Sequence, residues 1–212
     1  MKEVKLIEQA LLQTQEPETK KLLEQFIRAN TVINTKFDLF KLVDRQKDSM
    51  SPAHTGIFHD HGHKVATDGH ILAAVRSDYE PVFEGKILKP DGSFVDEDYK
   101  FPKWKSYIPT DDSLTPVYFR TPVVEMIRKV KEEQNLAKVA KEEAYASLSL
   151  NDERKMFFKA SYFVHVLNFV NEYPKTKFKT GRNCFCVKDA ENFCLIMECK
   201  PENLEYVTVQ QR

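Results

Sequence analysis

The spacing of the hydrophobic positions changes several times along the chain and divides it into helical and extended segments. Within residues 1–30 the apolar side chains recur every three or four positions in two groups, and Pro17 stands between the groups. This spacing is that of an amphipathic helix, and proline is well tolerated at the first position of a helix. Residues 1–30 are therefore predicted to form an N-terminal helical arm of two pieces, the second of which begins at Pro17.

A helical pattern and then an extended one follow the arm. Residues 37–48 have apolar positions at helical spacing, and residues 55–77 have the composition and turn signals of consecutive strands. The turn signals lie at residues 60–62 (Asp-His-Gly) and 68–69 (Asp-Gly), as expected for hairpins. We therefore predict a short amphipathic helix followed by hairpin-connected strands.

The second half of the chain shows the same succession of helix and strands. A helix start at Thr121-Pro122 opens a charged helix that runs to about Glu143, and residues 161–171 form another helix with a wide apolar face. The predicted strands lie at 145–150, 155–159, 177–180, 183–188 and 193–199. A helix followed by strands occurs at 37–77 and again at 160–199, which is a weak internal repeat. Helices combined with hairpin-forming strands predict the α+β class.

Composition and charge limit the classes of function open to the protein. The 212 residues suffice for one or two domains, and 32 basic residues balance 32 acidic ones, so no global field attracts nucleic acid or an anionic membrane. The longest apolar runs fall short of the about 20 residues needed to span a bilayer. Residues 1–7 are charged and amphipathic, unlike a secretory signal. We therefore expect a cytoplasmic protein without a membrane segment.

Four cysteines, Cys184, Cys186, Cys194 and Cys199, lie close together near the C-terminus. A Cys-x-Cys spacing on a strand places both thiols on one face, and four clustered cysteines could hold zinc. The pairs lack the glycines that usually shape zinc knuckles, however, and each cysteine stands among apolar residues, where a reduced thiol behaves as a small hydrophobe. We favour the interpretation that these cysteines belong to the core.

Five of the six histidines fall within residues 54–70, namely His54, His59, His61, His63 and His70. His59 and His63 flank a turn, so they could face each other across a hairpin and, with Asp60, bind a divalent metal. His59, His61 and His63 are therefore the candidate metal ligands, and a metal-dependent enzyme built on this cluster is the alternative function. A hydrophilic hairpin tip explains the same residues, and we prefer it because no ligand pair of fixed spacing such as H-E-x-x-H accompanies them.

Other catalytic signatures are missing from the sequence. A glycine-rich phosphate loop is not found, which agrees with the presence of only six glycines, and no nucleophile elbow is seen. The sequence thus predicts no cofactor and no enzymatic activity.

Three stretches of the sequence match one known family in the same order. Residues 64–73 (KVATDGHILA) resemble the ATDGHRLA segment of the bacterial DNA polymerase sliding clamp, the β subunit, and residues 158–168 (FKASYFVHVLN) are similar to a run in its last domain. Residues 101–109 (FPKWKSYIP) resemble its interdomain connector. The resemblance covers roughly 36–110 and 145–199, and three matches in order are more specific than any one of them.

The resemblance implies a DNA-clamp-like fold in which each domain consists of two copies of a helix packed on a layer of antiparallel strands. This agrees with the internal helix-plus-strands repeat. We therefore expect an N-terminal arm at 1–30 and a clamp-like domain at 31–212, made of halves at 31–109 and 110–212. In the family, domains join edge to edge into a ring around DNA, which implies that copies of this chain could form a homo-oligomer.

The resemblance also implies a pocket for a short peptide of a replication partner, beside the ATDGH segment. Carried over by position, the residues that would line it are Thr67, Gly69, His70, Leu72 and Met197. Ile71 stands where the family has arginine, and the family builds this pocket from two different domains. A tight turn is the structural alternative for residues 67–70, since glycine accepts positive φ and Asp and Thr side chains bond backbone groups locally. The two interpretations are compatible.

Contact with DNA would require a local basic patch, since the net charge is zero. The candidate DNA-contacting residues are Lys41, Arg45, Lys175, Lys177, Lys179 and Arg182. Lys175, Lys177 and Lys179 are predicted to share one strand face. The helix at 161–171 has no basic residue, and a solvated surface is the favoured alternative for the patch.

The sequence therefore predicts a non-enzymatic, sliding-clamp-like module that binds DNA, peptide motifs of replication partners, or both. The alternatives are the metal-dependent enzyme and a clamp-derived structural protein without DNA binding. The neutral charge and the absence of lysines from the helix at 161–171 are consistent with the clamp-derived structural protein.

Overall fold

The computed structural model describes residues 16–29, 36–43, 51–95, 99–150, 154–199 and 206–209. Contacts within the chain group its residues into two compact units. Unit 1 consists of 1–35, 119–167 and 199–212, and unit 2 consists of 36–118 and 168–198. Because each unit draws on separate stretches of chain, the units differ from the sequential halves at 31–109 and 110–212, which stay a prediction.

The described residues form three α-helices, several strands and short 3-10 helices. The α-helices are α1 (Pro17–Ala29), α2 (Val123–Ala140) and α3 (Ala160–Glu172). The strands are β1 (Ile57–Asp60), β2 (His63–Thr67), β3 (Ile71–Arg76), β4 (Ile87–Leu88), β5 (Thr115–Pro116), β6 (Tyr145–Leu150), β7 (Arg154–Lys159), β8 (Lys177–Thr180), β9 (Cys184–Lys188), β10 (Phe193–Met197) and β11 (Tyr206–Val209). These elements confirm the α+β class. Within the described ranges, no helix has the length and hydrophobicity to cross a bilayer.

Unit 2 is built on an eight-stranded antiparallel sheet with the strand order β4-β1-β2-β3-β10-β9-β8-β5. The strands β1, β2 and β3 follow one another as hairpins, as predicted. In the first turn His61 and Gly62 have φ angles of 48° and 73°, which suit the right-handed twist of a two-residue hairpin loop. The pairing of β3 with β10 sets Leu72 opposite Leu195 and joins the hairpins to the strands near the C-terminus.

The core of unit 2 covers both faces of β3, since residues 71–75 are all buried. One buried cluster consists of Val65, Leu72, Ala74, Trp104, Leu114, Cys184, Cys186, Phe193 and Leu195. Phe58, Phe101 and Ile108 pack against this cluster while remaining half-buried. Segment 101–109 therefore contributes to the core of unit 2, together with the sheet.

Unit 1 contains a three-stranded sheet with the order β11-β6-β7, in which β11 runs parallel to β6. The helix α2 follows Pro122 and ends at Lys141, whose φ of 58° stops the helix slightly before the predicted end. The helix α1 begins at Pro17, as predicted, and lies against α2. The first piece of the predicted arm, before residue 16, lies outside the described residues.

The helix predicted at 37–48 differs from the structure. Within residues 36–43 the chain forms a 3-10 helix at Leu39–Lys41 instead of an α-helix. The Asp38 carboxylate accepts a hydrogen bond from the Phe40 N–H at 3.0 Å, and this side-chain bond begins a tight turn. The rest of the predicted helix, residues 44–50, lies outside the described part of the chain.

Candidate functional site

A cavity of about 540 Å³ opens on unit 2 beside the turn between β2 and β3. Its wall comes from the β2–β3 turn, from segment 101–109, and from the β8–β9 turn with β10. The lining residues are His54, Thr67, Gly69, His70, Ile71, Leu72, Phe101, Pro102, Trp104, Tyr107, Pro109, Ser113, Gly181, Arg182, Asn183, Cys184, Leu195 and Met197. The antiparallel sheet brings together stretches that lie far apart in the sequence.

Side chains within the β2–β3 turn hold it by hydrogen bonds. The Thr67 hydroxyl donates to the Ile71 carbonyl oxygen at 2.7 Å and accepts from the Gly69 N–H at 3.1 Å. The Asp68 carboxylate accepts from the N–H groups of His70 and Ile71 at 2.9 and 3.0 Å. Gly69 has a φ of 90°, a conformation that favours glycine. The predicted tight turn is confirmed, and it gives this side of the cavity a well-defined backbone.

Met197 reaches the same cavity from the end of β10. Its N–H donates to the His70 carbonyl oxygen at 3.0 Å and so extends the ladder in which Leu195 pairs with Leu72. The Met197 side chain is 45% exposed, whereas Leu72 is buried. The residues selected by the clamp resemblance, which are Thr67, Gly69, His70, Leu72 and Met197, therefore line one cavity.

Segment 101–109 forms an aromatic part of the cavity wall. The Phe101 ring stacks on Phe58 with centroids 4.4 Å apart. Trp104 is buried, and its indole N–H donates to Asp60 Oδ2 at 2.8 Å. The clamp resemblance did not assign Phe101 or Trp104 to the pocket, although the aromatic residues of the segment were an available signal.

The carboxylate of Asp60 is the acceptor that anchors this segment. Burial alone would raise the pKa of Asp60, but the hydrogen bonds to its carboxylate outweigh burial and lower the pKa to about 2. The donors are His61, Lys105 and Trp104. Asp60 therefore stays ionised at neutral pH, and its negative charge lies beside the cavity wall.

The β8–β9 turn supplies another side of the cavity through Gly181, Arg182, Asn183 and Cys184. A Cβ atom at Gly181 would lie 2.8 Å from the Cys184 sulfur, so a side chain at this position would force the Cys184 thiol to shift. Arg182, a candidate DNA contact, lies at the cavity. None of these four residues was assigned to the pocket from the sequence, because their position beside it depends on strand pairing.

Three candidate DNA-contacting lysines lie at or next to β8. Lys177 and Lys179 share a face of this strand, but Lys175 precedes it, so the predicted face of three lysines is wrong at that position. The Lys179 ammonium lies 2.5 Å from Asp111 Oδ1, and the Lys188 ammonium lies 3.2 Å from the same oxygen. Hydrogen bonds from these two ammonium groups lower the pKa of Asp111. Asp111 thus offsets part of the positive charge of this surface.

The two remaining DNA candidates lie before β1 in the sequence. Lys41 is exposed at the end of its 3-10 helix. Arg45 lies outside the described residues. The DNA-contact assignment as a whole stays a prediction.

The register of β1 and β2 separates His59 and His63, which in the metal-site alternative could face each other across the hairpin. It pairs His59 with Lys64 and Asp60 with His63. Since paired residues share a face and neighbours along a strand alternate, His59 and His63 lie on opposite faces. The alternative of a metal pair formed by His59 and His63 is therefore wrong. His59 is buried beside the Phe83 ring, and this burial lowers the pKa of its imidazole.

In the described part of the chain, the residues whose ligand atoms lie close enough together to hold a metal ion are Asp60, His61 and Glu84. One ligand atom from each residue lies within 4.8 Å of the other two. Of the three histidines named as candidate ligands, His61 belongs to this group. Glu84 was not identified from the sequence, because it lies 23 residues further along the chain.

The four cysteines are free thiols, with Cys184, Cys186 and Cys194 buried and Cys199 half-buried. Cys186 pairs with Leu195 and Cys194 with Val187, so these two thiols lie on opposite faces of the sheet. Burial raises the pKa of Cys186 to about 12 and also raises the pKa of Cys194. For the three buried cysteines the core interpretation is confirmed.

The strand order and the motif-bearing segments define the class of fold to which the chain belongs. Comparison with solved structures shows the fold of the bacterial DNA polymerase III β sliding clamp, as the resemblance predicted. No protein-family model and no curated protein matches the sequence. The fold is therefore shown by the three-dimensional structure.

The similar structures include three bacterial clamps. The Caulobacter crescentus β sliding clamp has 15% identity and a TM-score of 0.54, with 84% of this chain and 64% of that chain covered. The DNA polymerase III subunit beta of Pseudomonas aeruginosa has 14% identity and a TM-score of 0.51, with 84% and 64% covered. The Helicobacter pylori β clamp in complex with diflunisal has 13% identity and a TM-score of 0.50, with 80% and 65% covered. The matches thus cover less than two thirds of each clamp, and at these identities they show the fold alone.

Proposed function

We propose that the protein is a clamp-like binding module whose cavity on unit 2 takes a short peptide from a DNA-replication partner. The observation that carries this proposal is the convergence of Thr67, Gly69, His70, Leu72 and Met197 on one cavity. The fold shared with β sliding clamps supports the same proposal. The module acts by binding its partner and catalyses no reaction.

The size and lining of the cavity suit a peptide with apolar side chains. Its volume of about 540 Å³ falls within the range of about 300–1,000 Å³ that is usual for ligand pockets. Leu72, Leu195 and Trp104 line it and belong to the buried apolar cluster. His70 and Arg182 also line the cavity, and both residues are exposed to solvent. Apolar side chains of a peptide would bury surface in this cavity, while the polar groups orient the peptide.

Peptide binding is better supported than DNA contact. Affinity for DNA depends on neutralising several phosphates with lysine or arginine. Asp111 offsets the charges of Lys179 and Lys188, and the chain has no net charge. The peptide cavity, in contrast, contains the complete set of residues carried over from the clamp resemblance.

Trp104 provides a direct test because it is the only tryptophan of the chain and lines the cavity. We would titrate the protein with a six-residue peptide that carries a leucine and a phenylalanine, and follow the tryptophan fluorescence. A control peptide would have serine at both apolar positions. We expect a saturable change with the first peptide and none with the control, since only the first can bury apolar side chains.

The variant Met197→Ala tests whether the cavity is the binding site. The side chain of Met197 is 45% exposed, so its truncation removes a contact at the cavity with little effect on the core. We expect the affinity for the peptide to fall about tenfold, which corresponds to about 1.4 kcal/mol. Val82→Ala is the matched control, since Val82 is 70% exposed and does not line the cavity. Unchanged affinity in Met197→Ala, or no saturable signal with the native protein, would refute the proposal.

A further inference from the structure

The turn between β1 and β2 brings together three side chains of different chemistry. The Nδ1 atom of His61 lies 2.5 Å from Asp60 Oδ1 and 3.3 Å from Glu84 Oε1. The His61 side chain is 78% exposed, so this group opens to solvent. An imidazole nitrogen and two carboxylates are established ligands of divalent transition metals.

Hydrogen bonds fix the orientation of both carboxylates. Glu84 accepts the backbone N–H of His61 with both oxygens at 3.1 Å. Asp60 uses Oδ2 to accept from the Trp104 indole at 2.8 Å and to pair with the Lys105 ammonium at 3.0 Å. These contacts leave Oδ1 of Asp60 directed at His61. Such outer contacts orient ligands in metal sites and raise metal affinity.

Backbone hydrogen bonds also hold the segment that carries Glu84 against β1. The Gly85 N–H donates to the His59 carbonyl oxygen at 2.9 Å, and the His59 N–H donates to the Lys86 carbonyl oxygen at 3.0 Å. These bonds fix the backbone on both sides of His59 and next to Glu84. The arrangement of the three ligand atoms is therefore built into the fold of unit 2.

We propose that Asp60, His61 and Glu84 bind a divalent transition-metal ion of the zinc class through Oδ1, Nδ1 and Oε1. Metal–ligand distances of about 2.0–2.2 Å at tetrahedral angles separate the ligand atoms by about 3.3 Å. The distance from His61 to Glu84 already has this value, and the contact from His61 to Asp60 opens as the metal enters. The metal binds the lone pair of Nδ1, so the ring hydrogen of His61 lies on Nε2 and the hydrogen bond between Nδ1 and Asp60 Oδ1 is lost. Water completes the coordination on the exposed side of His61.

The local charges and the ligand types determine the class of ion. The two carboxylates carry two negative charges, and Lys105 pairs with Asp60 Oδ2, which is not the oxygen that contacts His61. Arg76 donates to the His61 carbonyl oxygen at 3.4 Å and not to a ligand atom. The ligand group itself therefore presents two carboxylate charges to a divalent ion, and Lys105 and Arg76 offset these charges in part. The imidazole ligand favours zinc over magnesium, which prefers oxygen ligands alone.

The test is a titration of chelator-treated protein with zinc chloride by isothermal calorimetry, with thermal unfolding as a second measurement. We expect binding at one site and a higher midpoint of unfolding, because zinc binds the folded turn. Magnesium chloride at the same concentration should leave the midpoint unchanged. No heat of binding and no shift of the midpoint with zinc would overturn the proposal.

Two variants locate the metal on these residues. His61→Asn removes the imidazole, while asparagine tolerates the left-handed φ of 48° at this position. Glu84→Gln removes one carboxylate and keeps an oxygen that can accept the His61 N–H. We expect each variant to weaken zinc binding at least about tenfold. Glu80→Gln is the matched control, because Glu80 pairs with Lys64 outside the group and its loss should leave zinc affinity unchanged.

Fluorescence of Trp104 gives a readout at the same site, because Asp60 accepts from its indole N–H. Zinc should change this fluorescence in the native protein and in Glu80→Gln, and should fail to do so in His61→Asn at the same concentration. An equal fluorescence response or an equal affinity in His61→Asn would overturn the assignment. The experiment contains no peptide, so its result is independent of the proposed peptide binding.

Discussion

The indole N–H of Trp104 donates to Asp60 Oδ2 across 2.8 Å, although the two residues are 44 positions apart in the chain. Asp60 is the last residue of β1, and Trp104 lines the cavity of unit 2. A buried indole N–H needs an acceptor, and Asp60 supplies it. This hydrogen bond therefore determines where segment 101–109 rests against the sheet.

Replacing Asp60 with alanine should lower the free energy of unfolding by about 1–3 kcal/mol, because the buried indole N–H loses its acceptor. Urea unfolding followed by circular dichroism measures this change. Lys105→Ala is the control, since it keeps the acceptor of the indole and removes the ion pair with Asp60 and the contact of the ammonium with the Trp104 ring. The Lys105 side chain is 59% exposed, so this variant should cost about 0–1 kcal/mol. Equal losses in the two variants would contradict the role of the indole hydrogen bond.

The stability contributed by ionised Asp60 should disappear in acid. Its folded-state pKa of about 2 lies below the ordinary value of 3.8, so the folded state binds fewer protons in this range. The contribution is complete above about pH 5 and is lost as the pH falls toward 2; it is on the order of 2 kcal/mol. We expect the difference in stability between the native protein and Asp60→Asn to shrink between pH 5 and pH 2. A difference that stays constant over this interval in urea unfolding would show that Asp60 is not the group responsible.

The hydroxyl of Thr67 should stabilise the β2–β3 turn. Thr67→Val keeps the shape of the side chain but removes the hydrogen bonds to Ile71 and Gly69, and we expect a loss of about 1–2 kcal/mol in the free energy of unfolding. Thr115→Val is the matched control at an exposed position and should change stability by less than about 0.5 kcal/mol. Chemical denaturation of the three proteins measures both effects, and similar stabilities for all three would argue against the bonds from Thr67.

The buried cysteines should be unreactive in the folded protein. Burial raises the pKa of Cys186 to about 12 and raises that of Cys194, so neither forms an appreciable fraction of thiolate at pH 8. We expect neither to react with Ellman's reagent until the protein unfolds in urea, when all four thiols should be titrated. In the double variant Cys186→Ala and Cys194→Ala, the reaction of the folded protein should match that of the native protein. A smaller amplitude in the folded double variant would mean that one of these thiols is accessible.

Local chemistry in the sequence was enough to predict most elements of the fold. Pro17 marked the start of α1, and the Asp-His-Gly and Asp-Gly turns marked the hairpins of β1, β2 and β3. These signals work because proline restricts the backbone and glycine accepts positive φ, whatever the rest of the chain does. The prediction of a helix at 37–48 is wrong within its described residues, because the Asp38 side chain favours a 3-10 turn there.

The candidate peptide site could be named from its motif, but the sequence alone could not assemble it. The motif selected Thr67 and Met197, whereas the pairing of β3 with β10 brings them to one cavity. Segment 101–109 joins that cavity through Trp104 and the remote acceptor Asp60. Such contacts depend on strand order, which a local pattern does not contain.

The histidine cluster shows the same division between sequence and tertiary structure. The sequence determined that histidines are concentrated at the β1–β2 hairpin, and the strand register decided that His59 and His63 lie on opposite faces. Only the folded chain brings Glu84 to His61 and Asp60. The physical reason is that side chains alternate with a period of two along a strand, so one residue of register decides which face each side chain occupies. Local sequence determined the turns and most of the helices and strands of this protein, and long-range strand pairing decided which side chains meet.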